Sequence, residues 1–161
     1  MGRFSKTTII ITGGARGIGY GIARKLVEDG YTAAILDING LAAYQENFDE
    51  LKAMNPDCIY YQGDITDRKV REDFVALVVK RFGRIDVLVN NAGYGIFEEF
   101  DSISDQQVRE MFEVNTFALM QFSRLLGAHM KEASKVHIVN IVSMAGLVAT
   151  AKSSLYSATK F

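Results

Sequence analysis

Near the end of the chain, Tyr156 and Lys160 stand four positions apart, and Ser143 precedes the tyrosine with twelve residues between them. A free phenol titrates near pH ~10 and is a poor base at neutral pH. On a helix, a lysine four residues on shares the tyrosine's face. Its positive charge, together with the N-terminus of that helix, favours the phenolate. A serine placed after an apolar, strand-like run can hydrogen-bond a substrate oxygen. Taken singly these residues are commonplace, since Tyr and Lys at this spacing occur on many helix surfaces. Taken together they make an acid–base group.

At the other end lies Thr12-Gly13-Gly14-Ala15-Arg16-Gly17-Ile18-Gly19. It follows an apolar run and opens a helical pattern at Ile18 and Ile22. Glycines there permit a tight turn and a close approach of backbone N–H groups to a pyrophosphate, which the positive end of the next helix supports. The spacing is Gly-x-x-x-Gly-x-Gly rather than the common Gly-x-Gly-x-x-Gly. Asp37 ends the second apolar run, where an acid can accept both hydroxyls of an adenosine ribose and repel a 2′-phosphate. The plain alternative is a turn or cap aspartate. Arg16, inside the loop, is a cation that could pair with a 2′-phosphate. No basic residue follows Asp37, because Ile38 comes next, so NAD is favoured over NADP.

These groups need a scaffold. Short runs rich in Ile and Val, at 7–12, 32–36, 58–62, 85–89 and 136–142, lack strict polar alternation. Strands covered on both faces read in this way. Helical patterns near 17–29, 40–54, 67–82 and 104–131 separate them. The alternation predicts right-handed crossovers and one parallel sheet with helices on both faces. The only proline, Pro56, falls in the turn before the third strand.

The pattern at 104–131 predicts one long helix of about 40 Å. Ser104 and Gln107 form a capping box. Its apolar stripe runs through Val108, Met111 and Phe112, then Leu119, Phe122, Leu126 and Met130, and Asn115 is the one polar residue on it. A buried amide without partners costs about 1–3 kcal/mol. Asn115 is therefore either a satisfied core residue tying helix to loop or a functional amide facing a polar site.

The remaining composition excludes several classes. The chain has 161 residues, enough for one domain, and 48% of them are apolar, which argues against disorder. Its 18 basic and 19 acidic residues are interspersed, so nothing points to nucleic acid or an anionic membrane. The lone Cys58 forms no internal disulfide and reads as a small buried hydrophobe. His129 and His137 make no metal-ligand spacing. The first residues resemble neither a signal peptide nor a myristoylation site, and no apolar run has membrane-spanning length. A cytoplasmic protein is the expectation.

In order, Thr12 to Gly19, Asp37, Asn90-Asn91-Ala92-Gly93, Asn115, Ser143, Tyr156 and Lys160 resemble the pattern of the short-chain dehydrogenase/reductase family along the whole chain. The resemblance implies a doubly wound α/β Rossmann domain over 1–161, with five parallel strands in the order 3-2-1-4-5, that binds NAD(P), and hydride exchange between an alcohol and a carbonyl. Tyr156 would be the general acid/base, Lys160 would lower its pKa and hold the nicotinamide ribose, Ser143 would polarise the substrate oxygen, and Asn115 would anchor a water relay. Gly13, Arg16, Gly17, Ile18 and Gly19 would cradle the phosphates. Asp64 and Ile65 would face the adenine, Asn91, Ala92 and Gly93 would form the turn beside the cofactor, and Asn90 would brace the sheet. Tyr94-Gly95-Ile96-Phe97-Glu98-Glu99-Phe100 and the segment 144–155 would line a pocket for a small, non-ionic alcohol or carbonyl. Members of this family usually continue well past the lysine. The expectation is therefore a domain incomplete at its C-terminus, an exposed edge at 136–142, a short Tyr/Lys helix, and a homodimer or homotetramer. A dinucleotide-binding module without turnover, and a relative performing epimerisation or dehydration, are the alternatives.

Overall fold

A computed structural model describes residues 7–130, 135–148 and 150–161. Five strands, β1 (Thr8–Thr12), β2 (Thr32–Asp37), β3 (Ile59–Gln62), β4 (Val87–Asn90) and β5 (His137–Asn140), form one sheet in the order β3-β2-β1-β4-β5. Every pairing is parallel. Strand order reverses on either side of β1, so the carboxyl ends of β1 and β4 flank a crevice of the kind in which doubly wound folds bind ligands.

The period-two side-chain rule explains the two-sided core. Ile10 and Leu88 point to one face, where they meet Phe74, Val78, Phe122 and Leu126. Ile9, Ile11 and Val89 point to the other, against Ala23, Val27, Phe48 and Leu51. Phe74 and Phe122 are fully buried, each worth about 1.5–3 kcal/mol of transfer free energy. β5, at the sheet edge, is exposed along its length, with Ile138 and Val139, on opposite faces, both exposed.

The helices are α1 (Gly17–Glu28), α2 (Gln45–Met54), α3 (Arg68–Phe82), α4 (Asp105–Phe112), α5 (Ala118–Met130) and α6 (Ser154–Lys160). Asp67 caps α3 by accepting from Lys69 N at 2.7 Å, and Gly83 ends it at φ +73°. The Ser104/Gln107 capping box is formed at α4.

Three expectations are corrected. The helix expected over 40–54 divides into a 3-10 turn, Leu41–Tyr44, and α2. The run at 85–89 begins as a strand only at Val87, because Asp86 turns its carboxylate onto Thr8 N (2.8 Å) and pairs with Arg84. The long helix is interrupted at Glu113–Phe117 by a π turn, in which Ala118 N–H bonds to the Glu113 carbonyl five residues back. That extra residue shifts the stripe, so Ala118 is buried where Leu119 was expected. Position 131 and the chain's first six residues lie outside the described residues. Among the described residues no helix is long and apolar enough to cross a membrane.

Candidate active site

The β1–α1 turn is built to bring backbone close to a ligand. Gly13 has φ +64° and Gly17 φ +56°, conformations that side chains disfavour. A Cβ on Gly13 would lie 3.0 Å from Ala92 Cα, whereas a Cβ on Gly17 would point into space empty for 4 Å. Gly19 serves packing instead: a Cβ there would stand 2.2 Å from the Gly13 carbonyl oxygen. α1 begins with no capping side chain and no acidic residue in its first turn, so its leading N–H groups are open to an anion. The Arg16 side chain makes no hydrogen bond or ion pair among the described residues, while its carbonyl accepts from Tyr20 N at 3.1 Å.

The β4 turn is bolted to this loop. Thr12 Oγ1 accepts from Asn91 N and Ala92 N, both at 3.0 Å. Asn91 Nδ2 donates to the carbonyls of Thr12 (3.0 Å) and Gly13 (2.8 Å). Asn90 reaches Ser123 Oγ (2.9 Å) and Asn140 Oδ1 (2.8 Å), tying β4 to α5 and β5.

Asp37 is 5% exposed and closes the second strand. Its Oδ2 accepts from Ala15 N (3.0 Å), and its Oδ1 accepts from Asn39 N (3.0 Å) and Asn39 Nδ2 (2.8 Å). It is thus both the turn aspartate and a wall of the crevice, with one of about four acceptor positions unused. Asn39 was missed in the sequence, although Asp-x-Asn is a spacing that forms such turns. Beyond β3, Asp64 Oδ1 accepts from Thr66 N (2.8 Å).

At the far end, α6 carries Tyr156 in its first turn and Lys160 in its last. The Lys160 ammonium lies 5.9 Å from the Tyr156 ring centre and donates to the Ile141 carbonyl at 3.3 Å. Burial lowers the pKa of Lys160. The Tyr156 hydroxyl makes no hydrogen bond among the described residues. Ser143 Oγ accepts from Ala145 N (3.2 Å), which leaves its proton free to donate. Phe97 packs on the Tyr156 ring with centroids 5.3 Å apart, and a side chain on Gly95 would strike that ring pair.

Asn115, buried in the π turn, exchanges hydrogen bonds with the Tyr94 backbone (3.0 and 2.8 Å) and donates to Thr159 Oγ1 (2.9 Å). Thr159 in turn donates to the Tyr156 carbonyl at 2.8 Å. The amide therefore ties the β4 loop to the Tyr/Lys helix. A Cβ on Gly93 would touch both Asn115 Oδ1 (3.0 Å) and Lys160 Nζ (3.3 Å). Neither the π turn nor Thr159 was legible in the residue pattern.

One crevice of about 740 Å3 runs the length of these groups. It is lined by Gly13, Arg16, Gly17, Ile18, Asp37, Asp64, Ile65, Asn91, Ala92, Gly93, Ser143, Tyr156 and Lys160. Of the catalytic and cofactor residues expected at the site, only Gly19 and Asn115 stand outside its lining; of the segments expected to line a substrate pocket, Tyr94, Gly95 and Phe97 do so, whereas Ile96, Glu98, Glu99, Phe100 and the described residues of 144–155 do not. Among the described residues no group of three or more His, Cys, Asp or Glu side chains could hold a metal.

Fold and crevice together define a doubly wound α/β protein with a crevice at the switch point of the sheet. The short chain dehydrogenase family model matches residues 7–161, and the chain belongs to that family. It is 35% identical over 154 residues to a diacetyl reductase [(S)-acetoin forming] from Staphylococcus epidermidis, covering 95% of this chain and 60% of that protein. The chain thus spans about 60% of the length of that curated relative. Among solved structures, NAD+-bound xylitol dehydrogenase superposes with a TM-score of 0.91 at 27% identity, covering 98% of this chain and 61% of the other. A metagenomic short-chain oxidoreductase in complex with NADP gives 0.90 at 30% identity, with coverage of 98% and 71%.

Proposed function

We propose that this chain is the cofactor-binding and catalytic part of an NAD(P)-dependent oxidoreductase that interconverts a small-molecule alcohol and a carbonyl compound. The observation that carries the reading is the continuity of the crevice from the glycine turn and Asp37 to Ser143, Tyr156 and Lys160. A dinucleotide fits what lines it. The N–H groups opening α1 and the empty space beside Gly17 suit a pyrophosphate, and the free acceptor position on Asp37 suits a ribose hydroxyl. When bound, the nicotinamide supplies hydride acceptance or donation.

The chain's own residues do the rest. Tyr156, with its hydroxyl unengaged, passes a proton to or from the substrate oxygen. The Lys160 ammonium stabilises the phenolate. Ser143 donates its hydroxyl proton to the same substrate oxygen. Asn115 and Thr159 hold α6 at its distance from the Tyr94 loop. Asp37 favours NAD, since its carboxylate repels a 2′-phosphate, with Arg16, which also lines the crevice, as an opposing cation. Phe97, Val142 and the apolar residues beyond them suit a substrate without charge beside its reacting carbon. The likeness to a diacetyl reductase makes small dicarbonyls the first compounds to try. Exposed Phe117 and Met120 on the π turn and α5 support assembly as a homodimer or homotetramer.

The test is nicotinamide absorbance during incubation of purified protein with NAD or NADH and a panel of secondary alcohols and dicarbonyls. Substrate-dependent change, larger with NAD than with NADP, is expected. Cofactor binding without any turnover across the panel, in a protein carrying the full family length, would overturn the catalytic reading.

A further inference from the structure

Arg71 is a buried cation that the chemistry above does not use. It stands in the first turn of α3, is 5% exposed, and has no carboxylate partner among the described residues. A buried guanidinium needs acceptors, and here both are neutral. One arm donates to the Ile65 carbonyl at 2.5 Å, and the other to Gln121 Oε1 on α5, also at 2.5 Å. The first of these bonds has a consequence across one peptide group. The peptide joining Ile65 to Thr66 has its oxygen on Arg71, while its N–H donates to Asp64 Oδ1 at 2.8 Å. A cation at the oxygen polarises that peptide and strengthens its N–H as a donor to the carboxylate. The loop is seated further by Gly63, where a Cβ would meet Val70 Cγ1 of α3 at 2.4 Å. Asp64 and Ile65 both line the crevice.

We infer that Arg71 is a positioning residue that fixes Asp64, through the 65–66 peptide, so that the second carboxylate oxygen is presented to the amino group of the adenine. The inference rests on the cofactor reading given above. It makes the base end of the crevice a specificity element, with α3 and α5 as its anvil. Arg71 touches no cofactor atom. Its effect is felt only by a ligand group that Asp64 would grip.

The test compares NAD with nicotinamide hypoxanthine dinucleotide, which carries an oxygen in place of the 6-amino group, by calorimetric titration of the full chain. Wild type should bind NAD the more tightly. Arg71→Met should weaken NAD roughly five- to tenfold, less than the full worth of a charge-assisted hydrogen bond because Asp64 is loosened rather than removed, and leave the analogue within about twofold. Arg71→Lys, which reaches one acceptor, should fall between. Asp64→Asn should abolish the preference, and adding Arg71→Met to it should cost nothing further for NAD relative to the analogue. Equal weakening of both dinucleotides, or of neither, overturns the inference. So does the loss of cooperative melting in both Arg71 variants, which would make the residue a core bolt alone. A wild type that binds neither dinucleotide refutes the cofactor reading itself, and one that binds both equally refutes the adenine contact.

Discussion

Replacing Gly19 by alanine puts a methyl carbon 2.2 Å from the Gly13 carbonyl oxygen and 2.5 Å from Asn91 Nδ2. Neither neighbour can swing away. The first is backbone of the glycine turn, and the second is held by two hydrogen bonds to the Thr12 and Gly13 carbonyls. Relief requires α1 to back off the turn or Asn91 to leave it. Overpacking of this kind costs about 1–3 kcal/mol, and loss of the two Asn91 bonds adds about 0.5–1.5 kcal/mol each. Helix propensity works in the opposite direction by about 1 kcal/mol. The net expectation is a destabilisation of about 1–5 kcal/mol, together with cofactor affinity reduced by at least tenfold because the turn moves. Gly21→Ala is the control. It lies two residues on in the same helix, where a Cβ meets nothing within 4 Å, so it should stabilise by about 0.5–1 kcal/mol and leave binding unchanged. Urea unfolding and NAD titration of both variants measure the difference. Gly19→Ala as stable as Gly21→Ala, with wild-type affinity, would refute the reasoning that close packing of α1 on its turn builds the phosphate site.

Asp37→Ala should weaken NAD and improve NADP relative to it, because a ribose acceptor and a repulsive charge go together; unchanged relative titration curves would contradict this. Lys160 has a folded pKa depressed by burial, so just below the ordinary lysine range near ~10.4 the unfolded chain holds a proton that the folded chain has released. Stability carried by this group therefore rises with pH through that window. Lys160→Met should remove the rise, read as the difference between the two pH–stability profiles, and parallel profiles would refute it. Light scattering should report a dimer or larger, covering Phe117 and Met120, and a stable 17.9 kDa monomer would refute that.

β1 and β2 were legible because strands buried on both faces announce themselves as apolar runs, and β1 with Ile9, Ile10 and Ile11 is the clearest case, whereas β5, read in the same way, is exposed. Strand order came with the family resemblance, since crossover handedness alone leaves several orders open. The two ends of the crevice were legible for a different reason: glycines before a helix, and a Tyr/Lys pair at helical spacing, are local patterns. What escaped was set by tertiary partners. The π turn exists where Asn115 must reach both Tyr94 and Thr159, and neither partner is near it in sequence. Arg71 was not singled out, because nothing local says that Ile65 and Gln121 converge on it. Asn39 was passed over although the turn it forms with Asp37 is local.

The central claim is that the crevice places a proton-transferring phenol beside a bound dinucleotide. Tyr156→Phe removes only a hydroxyl that makes no hydrogen bond among the described residues, so it tests that claim with little structural disturbance. Turnover and cofactor affinity should be measured on the same preparation of a chain of full family length. Turnover is expected to fall about 10²–10⁴-fold, the usual worth of general acid–base help, with cofactor affinity within about twofold of wild type. Near-normal turnover in the phenylalanine variant would contradict the account.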